Sequence, residues 1–344
     1  MNEKLNIMVM TAEDSLKVFR MTQERVDAAM KKYPEFIDSI NISRTITTTS
    51  FENDPSWNEE DYKKFRRDIK EADIVVGYMF PLKEIALLAP RLKWIHIIGA
   101  GIEHLLPLDW LPKGVILTNN RGAHAPKTYE YAMMALLMLG NHMPRLACAQ
   151  RKHFWDGHFV SVIKGSKVAI LGAGKQGSAV ALAAKQLGMQ TVGVDINQIP
   201  KENFDEILPP SELHKVLRSA DYVVVTLPLV EDTFHFVGER EFSVMKKGAG
   251  FVNISRGKIV DNDALICSLE AGHISGAVLD VFEQEPLPKD SPLWSVPNLI
   301  ISPHMGCDDE ENYIDRTFDI VFQNLRRLKA GEALDNVIDI EKGY

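Results

Sequence analysis

Cysteine is scarce and follows no pattern. The 344 residues hold three, Cys148, Cys267 and Cys307, with no C-x-x-C pair. An odd number at wide spacing gives neither a disulfide framework nor the spacing of a zinc site. Such usage suits a reduced, cytoplasmic protein, and no metal is expected. Long apolar runs are missing too. The longest helical one, "YAMMALLML" from Tyr131 to Leu139, falls far short of the roughly 20 residues that span a bilayer, so no membrane association is expected. Positive charge is in deficit, with 39 Lys and Arg against 47 Asp and Glu, a net charge of −8. No global basic field draws nucleic acid or an anionic surface. The opening "MNEKLNIMVM" has no cationic stretch leading into a long apolar core, so no secretory signal is expected. There is no low-complexity segment and no short repeat. What remains is ordinary globular composition, 45% hydrophobic and 25% charged, at a length that suggests about two domains.

From Lys167 onward, short apolar runs alternate with turns and helical stretches. The runs are "KVAIL" (167–171), "QTVGV" (190–194), "YVVVT" (222–226), "GFVNI" (250–254), "GAVLD" (276–280) and "LIIS" (299–302). They are continuous in Val, Ile and Leu rather than alternating, as parallel strands covered on both faces require. Six such strands with crossovers predict a doubly wound, Rossmann-like sheet. The first part repeats the alternation more weakly, in "LNIMVM" (5–10), "ADIVVGYM" (72–79), "LKWIHII" (92–98) and "VILTN" (115–119). It predicts a second, smaller, flavodoxin-like α/β domain. A helix opens near Ala125-Pro126, with Tyr129, Met133, Leu136, Leu137 and Leu139 as its apolar face. A last helical segment, 308–329, carries Ile314, Phe318, Val321, Leu325 and Leu328 at spacings of three and four. No strand of the six-strand set follows it, so it is expected to return to the first domain. The expected division is residues 1–122 plus 308–344 as a discontinuous substrate domain, with a dinucleotide-binding domain at 123–307 inserted in it.

"AILGAGKQGSAVALAA" places Gly172, Gly174 and Gly177 in G-x-G-x-x-G spacing. Glycines fall into that spacing by chance, but here it follows an apolar strand and opens a helix, the context that gives it meaning. Gly172 permits a tight turn, Gly174 lets backbone approach a pyrophosphate, and Gly177 lets helix and strand pack closely. A Walker A loop is excluded because Lys175 is followed by Gln176 rather than Ser or Thr. Eighteen residues past Gly177, the next strand ends in Asp195. A carboxylate there suits the ribose hydroxyls of NAD and repels the 2′-phosphate of NADP; a solvated turn Asp is the bland alternative.

Ligands in open parallel sheets lie beyond the carboxyl ends of the strands. There the later strands deliver Thr226, Leu227, Pro228 and Thr233, then Ser255-Arg256, then Asp280 with Glu283 and Glu285, then "SPHMG" with His304. Hydride transfer to a ketone builds negative charge on its oxygen, to which a protonated imidazole can donate. A carboxylate beside the imidazole raises its pKa and orients it, and a guanidinium forks onto the carboxylate of a 2-oxo acid. Arg256, Glu285 and His304 supply that set. Taken singly each reads as a turn or loop residue; their joint placement favours a site.

At these residues the sequence resembles the D-isomer-specific 2-hydroxyacid dehydrogenases. The resemblance runs through "IIGAGIEHL" (97–105), "NNRGAHAPKTYEYAM" (119–133), "GAGKQG", "TLPLVEDT", "NISRGKIVDNDAL" (253–265), "GAVLDVFEQEPLP" (276–288), "LIISPHMG" (299–306) and the closing "GEALDNVID…GY". It implies an NAD-dependent oxidoreductase interconverting small 2-oxo acids and D-2-hydroxy acids. Arg256, Glu285 and His304 would be the catalytic triad, and the amides of Ala100 and Gly101 would hold the substrate carboxylate together with Arg256. Cofactor contacts would come from Thr128, the glycine loop with Lys175 and Gln176, Asp195, Leu227, Pro228, Thr233, Ile254, Asp280 and His304. Domain closure over a cleft is implied as well, as is a homodimer formed through the NAD domain, with the aromatic segment "KHFWDGHF" as an arm on the partner. The sequence departs from the family at Glu103, where aspartate is common, at Tyr131, where histidine is common, and at Cys307, where a small residue is usual. Arg121 and His124 are candidates for a second anionic group on the substrate. Formate dehydrogenases carry glutamine where Glu285 stands. The long type of phosphoglycerate dehydrogenase has a regulatory extension not expected here. The alternative from another class is a corepressor-like NAD(H)-sensing binding module, expected to carry extra interaction segments.

Overall fold

The computed structural model describes residues 4–50, 57–340 and 342–343. Met1–Glu3 of the opening stretch and Tyr344 of the closing motif lie outside the described residues. The chain divides into two compact units, Met1–Ala123 with Asp309–Tyr344, and His124–Asp308.

The first unit is built on a parallel sheet of β1 (Leu5–Ala12), β2 (Ile40–Thr47), β3 (Ile74–Gly77), β4 (Trp94–Ile97) and β5 (Ile116–Asn119), in the order β2-β1-β3-β4-β5. This is the flavodoxin-like winding. Four of these strands correspond to the apolar runs of the sequence; β2 is an addition. It sits at the edge, paired only with β1. With one neighbour it needs little apolar surface, so "INISRTIT" alternates instead of running apolar. The helix Tyr313–Ala330 belongs to this unit and buries Ile314, Phe318, Val321 and Leu325 against Val9, Ile74 and Trp94. It starts five residues later than the sequence spacing suggests. Asp309 accepts hydrogen bonds from the amides of Glu311 at 3.2 Å and Asn312 at 3.1 Å, holding 309–312 in turns.

The second unit holds seven parallel strands: β6 (Lys167–Leu171), β7 (Gln190–Val194), β8 (Glu206–Leu208), β9 (Tyr222–Val225), β10 (Gly250–Asn253), β11 (Gly276–Leu279) and β12 (Leu299–Ile301). Their order is β12-β11-β10-β9-β6-β7-β8. The expected six are joined by β8, a three-residue edge strand beginning on an exposed Glu206, too short and polar to read as a strand. Val168, Ile170, Val224, Val252 and Val278 pack on one face of the sheet; Ala169, Leu171, Val223, Val225 and Phe251 pack on the other. Both faces are covered, which is why these runs carry no alternation.

The register of this sheet decides where the chemistry lies. Val194, Leu171, Val225, Asn253, Leu279 and Ile301 stand side by side as strand partners. Whatever follows each strand therefore emerges at one edge. Strand order reverses between β6 and β9, the switch point at which such sheets take ligands.

The helix Ala125–Gly140 covers the sheet with Ala132, Ala135, Leu136 and Leu139. Leu137, expected on its inner face, is instead exposed together with Met134. The helix is apolar on two sides and only one meets the sheet. Among the described residues, no helix is long and apolar enough to cross a membrane.

Candidate active site

At the edge of the second unit, β6 turns through Gly172, at φ +98°, into the helix Lys175–Gln186. No side chain caps that helix, so its first amides and the positive end of its dipole stay available. A Cβ on Gly177 would stand 2.0 Å from the Gly172 carbonyl oxygen, whereas one on Gly174 would meet nothing within 4 Å. The loop is thus tight where helix meets strand and open where a phosphate would lie. A dinucleotide's pyrophosphate fits that arrangement.

Asp195 follows β7. Its Oδ2 accepts from the Ala173 amide at 2.7 Å and its Oδ1 from the Asn197 amide at 2.8 Å. A carboxylate offers about four acceptor positions, so capacity remains for ribose hydroxyls. Lys201 donates to the Ala173 carbonyl, fastening the same loop from the other side. Past β9, the Thr226 hydroxyl donates to Gly172 O at 2.7 Å. The Thr233 hydroxyl accepts from Val230 N at 2.8 Å and donates to Pro228 O at 2.7 Å, so it closes its own turn. Leu227 and Thr233 are half-buried and Pro228 is exposed; Ile254 is buried.

Past β10 comes Arg256, half-buried, with Nη1 donating to Ser255 O at 2.7 Å. Asn253, buried at the end of β10, ties this turn: its Nδ2 donates to Arg256 O at 3.0 Å and its Oδ1 accepts from Ser255 N at 3.1 Å. Gly257 lies so close to Phe282 that a Cβ would stand 1.8 Å from the Phe282 carbonyl carbon. That contact draws the arginine's turn onto the loop that carries Glu285. The Phe282 amide in turn donates to Glu285 Oε1 at 2.8 Å.

Glu285 Oε2 lies 2.6 Å from His304 Nδ1. Hydrogen bonding to Glu285 raises His304 above the usual imidazole range, against burial and the Arg256 charge. Burial pushes Glu285 up, but the hydrogen bonds from His304 and the Phe282 amide, with the Arg256 charge, hold it below the usual carboxylate range. With Nδ1 committed to Glu285, Nε2 is the nitrogen left to exchange a proton with a ligand. Arg256, Glu285 and His304 are thus gathered at one place, with Asp280 beside them.

Asp280 is fully buried at the end of β11. It accepts from the Ser302 hydroxyl at 2.5 Å and from the amides of Met305 and Gly306 at 3.1 and 2.9 Å. Burial raises it above the usual carboxylate range despite these donors. Thr128 is fully buried, and its side chain and that of Gln176 both act on Cys307. Burial pushes the Cys307 thiol up to about 12, so this cysteine is not a nucleophile at ordinary pH.

In the first unit, Ala100 and Gly101 follow β4. Asn119 donates to Ala100 O at 2.5 Å, and His104 stacks on Tyr78 at 4.4 Å between centroids. Arg121 donates to Asn119 Oδ1 at 3.1 Å and to Val337 O at 3.0 Å. His124, in the second unit, has Nδ1 3.2 Å from Asp308 Oδ1 and 3.3 Å from Cys307 O. Asn253, Ser302 and Tyr131 are contributors that sequence reasoning missed. A buried Asn inside an apolar strand was the one available signal.

Residues 133–306 match the model of the D-isomer specific 2-hydroxyacid dehydrogenase, NAD binding domain family. A glyoxylate reductase from Korarchaeum cryptofilum is 32% identical over 79% of this chain and 84% of its own length. A D-3-phosphoglycerate dehydrogenase from Methanocaldococcus jannaschii is 31% identical over 79% of this chain and 52% of its own. The crystal structure of a D-isomer specific 2-hydroxyacid dehydrogenase from Xanthobacter autotrophicus Py2, in complex with NADPH and MES, superposes with a TM-score of 0.78. It is 27% identical and covers 98% of this chain and 99% of that one.

Proposed function

The chain belongs to the D-isomer specific 2-hydroxyacid dehydrogenase family, and from that premise we propose that this oxidoreductase is an NAD-dependent reductase of small 2-oxo acids to D-2-hydroxy acids, running in either direction. The observation that carries the reading is the gathering of Arg256, Glu285 and His304 at the strand edge that also bears the open glycine loop. Gly172, Gly174, Gly177, Lys175 and Gln176 would hold the pyrophosphate, and Asp195 the adenosine ribose. Thr128, Leu227, Pro228, Thr233, Ile254 and Asp280 would complete the cofactor contacts. When bound, the nicotinamide supplies or accepts the hydride.

The chain's own residues do the rest. Arg256 forks onto the substrate carboxylate, and the amides of Ala100 and Gly101 donate to it. His304, kept protonated by Glu285, gives its Nε2 proton to the carbonyl oxygen as negative charge builds there. In the oxidative direction the neutral imidazole takes the hydroxyl proton back. The Asp195 carboxylate, whose charge repels a 2′-phosphate, supports NAD over NADP.

We place the protein in the cytoplasm on its three unpaired cysteines and propose a homodimer through the second unit. Phe154, Trp155, Phe159 and Val162 stand 64%, 94%, 96% and 82% exposed there, an unusual cost for an isolated chain.

The test is a panel of glyoxylate, hydroxypyruvate, pyruvate, branched and aromatic 2-oxo acids, each with NADH and with NADPH. Arg256→Ala should keep cofactor binding while kcat/KM falls at least a hundredfold, as loss of a charge-paired substrate anchor does. Unchanged turnover in that variant refutes the assignment. Binding of NADH with no turnover on any acid would favour the binding-module reading.

A further inference from the structure

Tyr131 lies in the helix Ala125–Gly140, far in sequence from the proposed acid, yet its hydroxyl is 2.5 Å from Ser302 Oγ. Ser302 Oγ in turn donates to Asp280 Oδ1 at 2.5 Å. A serine hydroxyl has one proton. Having given it to Asp280, Ser302 can only accept from Tyr131, so the phenol is the donor at the head of a directed chain. Burial raises the Tyr131 phenol to about 12, which keeps that proton in place at any working pH. The far end of the chain is the turn that presents His304. Asp280 accepts from Met305 N and Gly306 N, and its own carbonyl accepts from His304 N at 2.7 Å. His304 sits at φ +50°, a conformation a β-substituted residue keeps only when its surroundings impose it. The Tyr131 ring also lies flat against this turn, with Cε2 2.4 Å from where a Cβ on Gly306 would stand.

We propose that Tyr131 is a positioning residue: through Ser302 and Asp280 its phenol holds the 302–307 turn, and so His304, in its working position. The proposal rests on His304 being the acid/base of the reaction proposed above. The groups acting on the His304 imidazole are Glu285, Arg256 and Asp280. The phenol acts on the last of these, by supporting its ionised form.

Tyr131→Phe keeps the ring against Gly306 and removes only the donor. We expect kcat to fall about tenfold, a fraction of the 10²–10⁴ that a positioned acid supplies, with KM for NADH changed less than about twofold. The high-pH limb of kcat should move to lower pH, because a less well supported Asp280 anion sustains the imidazolium less. Ser302→Ala should repeat these effects, and Ser302→Thr, which keeps a hydroxyl, should restore activity to within about threefold. NMR titration of the His304 imidazole in ligand-free protein reads the same shift without turnover. If the wild type reduces no 2-oxo acid, the functional reading falls, and the NMR titration still decides the role of Tyr131. A Tyr131→Phe protein that only melts earlier, with kcat, pH limb and His304 titration all as in the wild type, overturns the proposal.

Discussion

Two alanine substitutions in one loop should fail in different ways. In Gly177→Ala the new Cβ would stand 2.0 Å from the Gly172 carbonyl oxygen, 3.0 Å from its carbon and 3.1 Å from Thr226 Oγ1. The obstacle is backbone, so the helix Lys175–Gln186 has to retreat by about 1 Å from β6 to relieve the overlap. Overpacking of that kind costs about 2–3 kcal/mol when no flexible side chain can give way. Replacing glycine inside a helix returns about 1 kcal/mol, leaving a net loss of about 1–2 kcal/mol. For a unit the size of His124–Asp308 each kcal/mol shifts Tm by roughly 2–4 °C, so the drop should be roughly 2–8 °C. In Gly174→Ala the Cβ enters open space. Only the N-cap preference is lost, under about 1 kcal/mol, and the Tm of the ligand-free protein should hold to within roughly 3 °C. The same Cβ stands where backbone must approach the pyrophosphate, so NADH affinity should fall at least tenfold, about 1.4 kcal/mol. Differential scanning fluorimetry without ligand and calorimetric titration with NADH separate the two outcomes. A Gly174→Ala protein that binds NADH like the wild type would show that the open space is not the phosphate site. An undiminished Tm in Gly177→Ala would refute the packing argument.

Glu285→Gln should move the high-pH limb of kcat to lower pH, since the carboxylate that raises His304 is gone. The same pair bears on stability. The His304 share is present at low pH and lost as pH rises through its raised folded value; the Glu285 share is lost as pH falls through its lowered one. The difference in Tm between wild type and Glu285→Gln should therefore peak between those limits, and a pH-independent difference would contradict the pairing. Brief treatment of the native protein with N-ethylmaleimide should label exposed Cys267 and spare buried Cys307, whose thiol stands at about 12; mass spectrometry of the digest reads the outcome. Substituting Trp155 and Phe159 together with serine should leave Tm of the unit nearly unchanged and convert a dimer to a monomer in sedimentation velocity, and an unaltered sedimentation coefficient would remove the arm from the interface.

The part of this protein that its sequence determined is the part made of local signals. Val-rich runs marked strands covered on both faces, because such strands have no side turned to water. The glycine spacing before a helix marked the phosphate loop, because turn, approach and packing each need a missing side chain within six residues. Edge strands escaped notice. β2 alternates and β8 is three residues long, since one-sided pairing asks little of their side chains. Leu137 looked inward because periodicity names an apolar face without saying which neighbour meets it.

Only the tertiary structure decided how residues far apart in sequence share protons and charge. Glu285 reaches His304 because Gly257 presses the Arg256 turn onto Phe282, whose amide fixes the other carboxylate oxygen. Tyr131 reaches Ser302 across 171 residues, and Asn253 closes the turn of Arg256 from inside its strand. Hydrogen bonds of this kind form between groups that the parallel register brings to one edge. The register is a property of the assembled sheet, with no trace in any single strand.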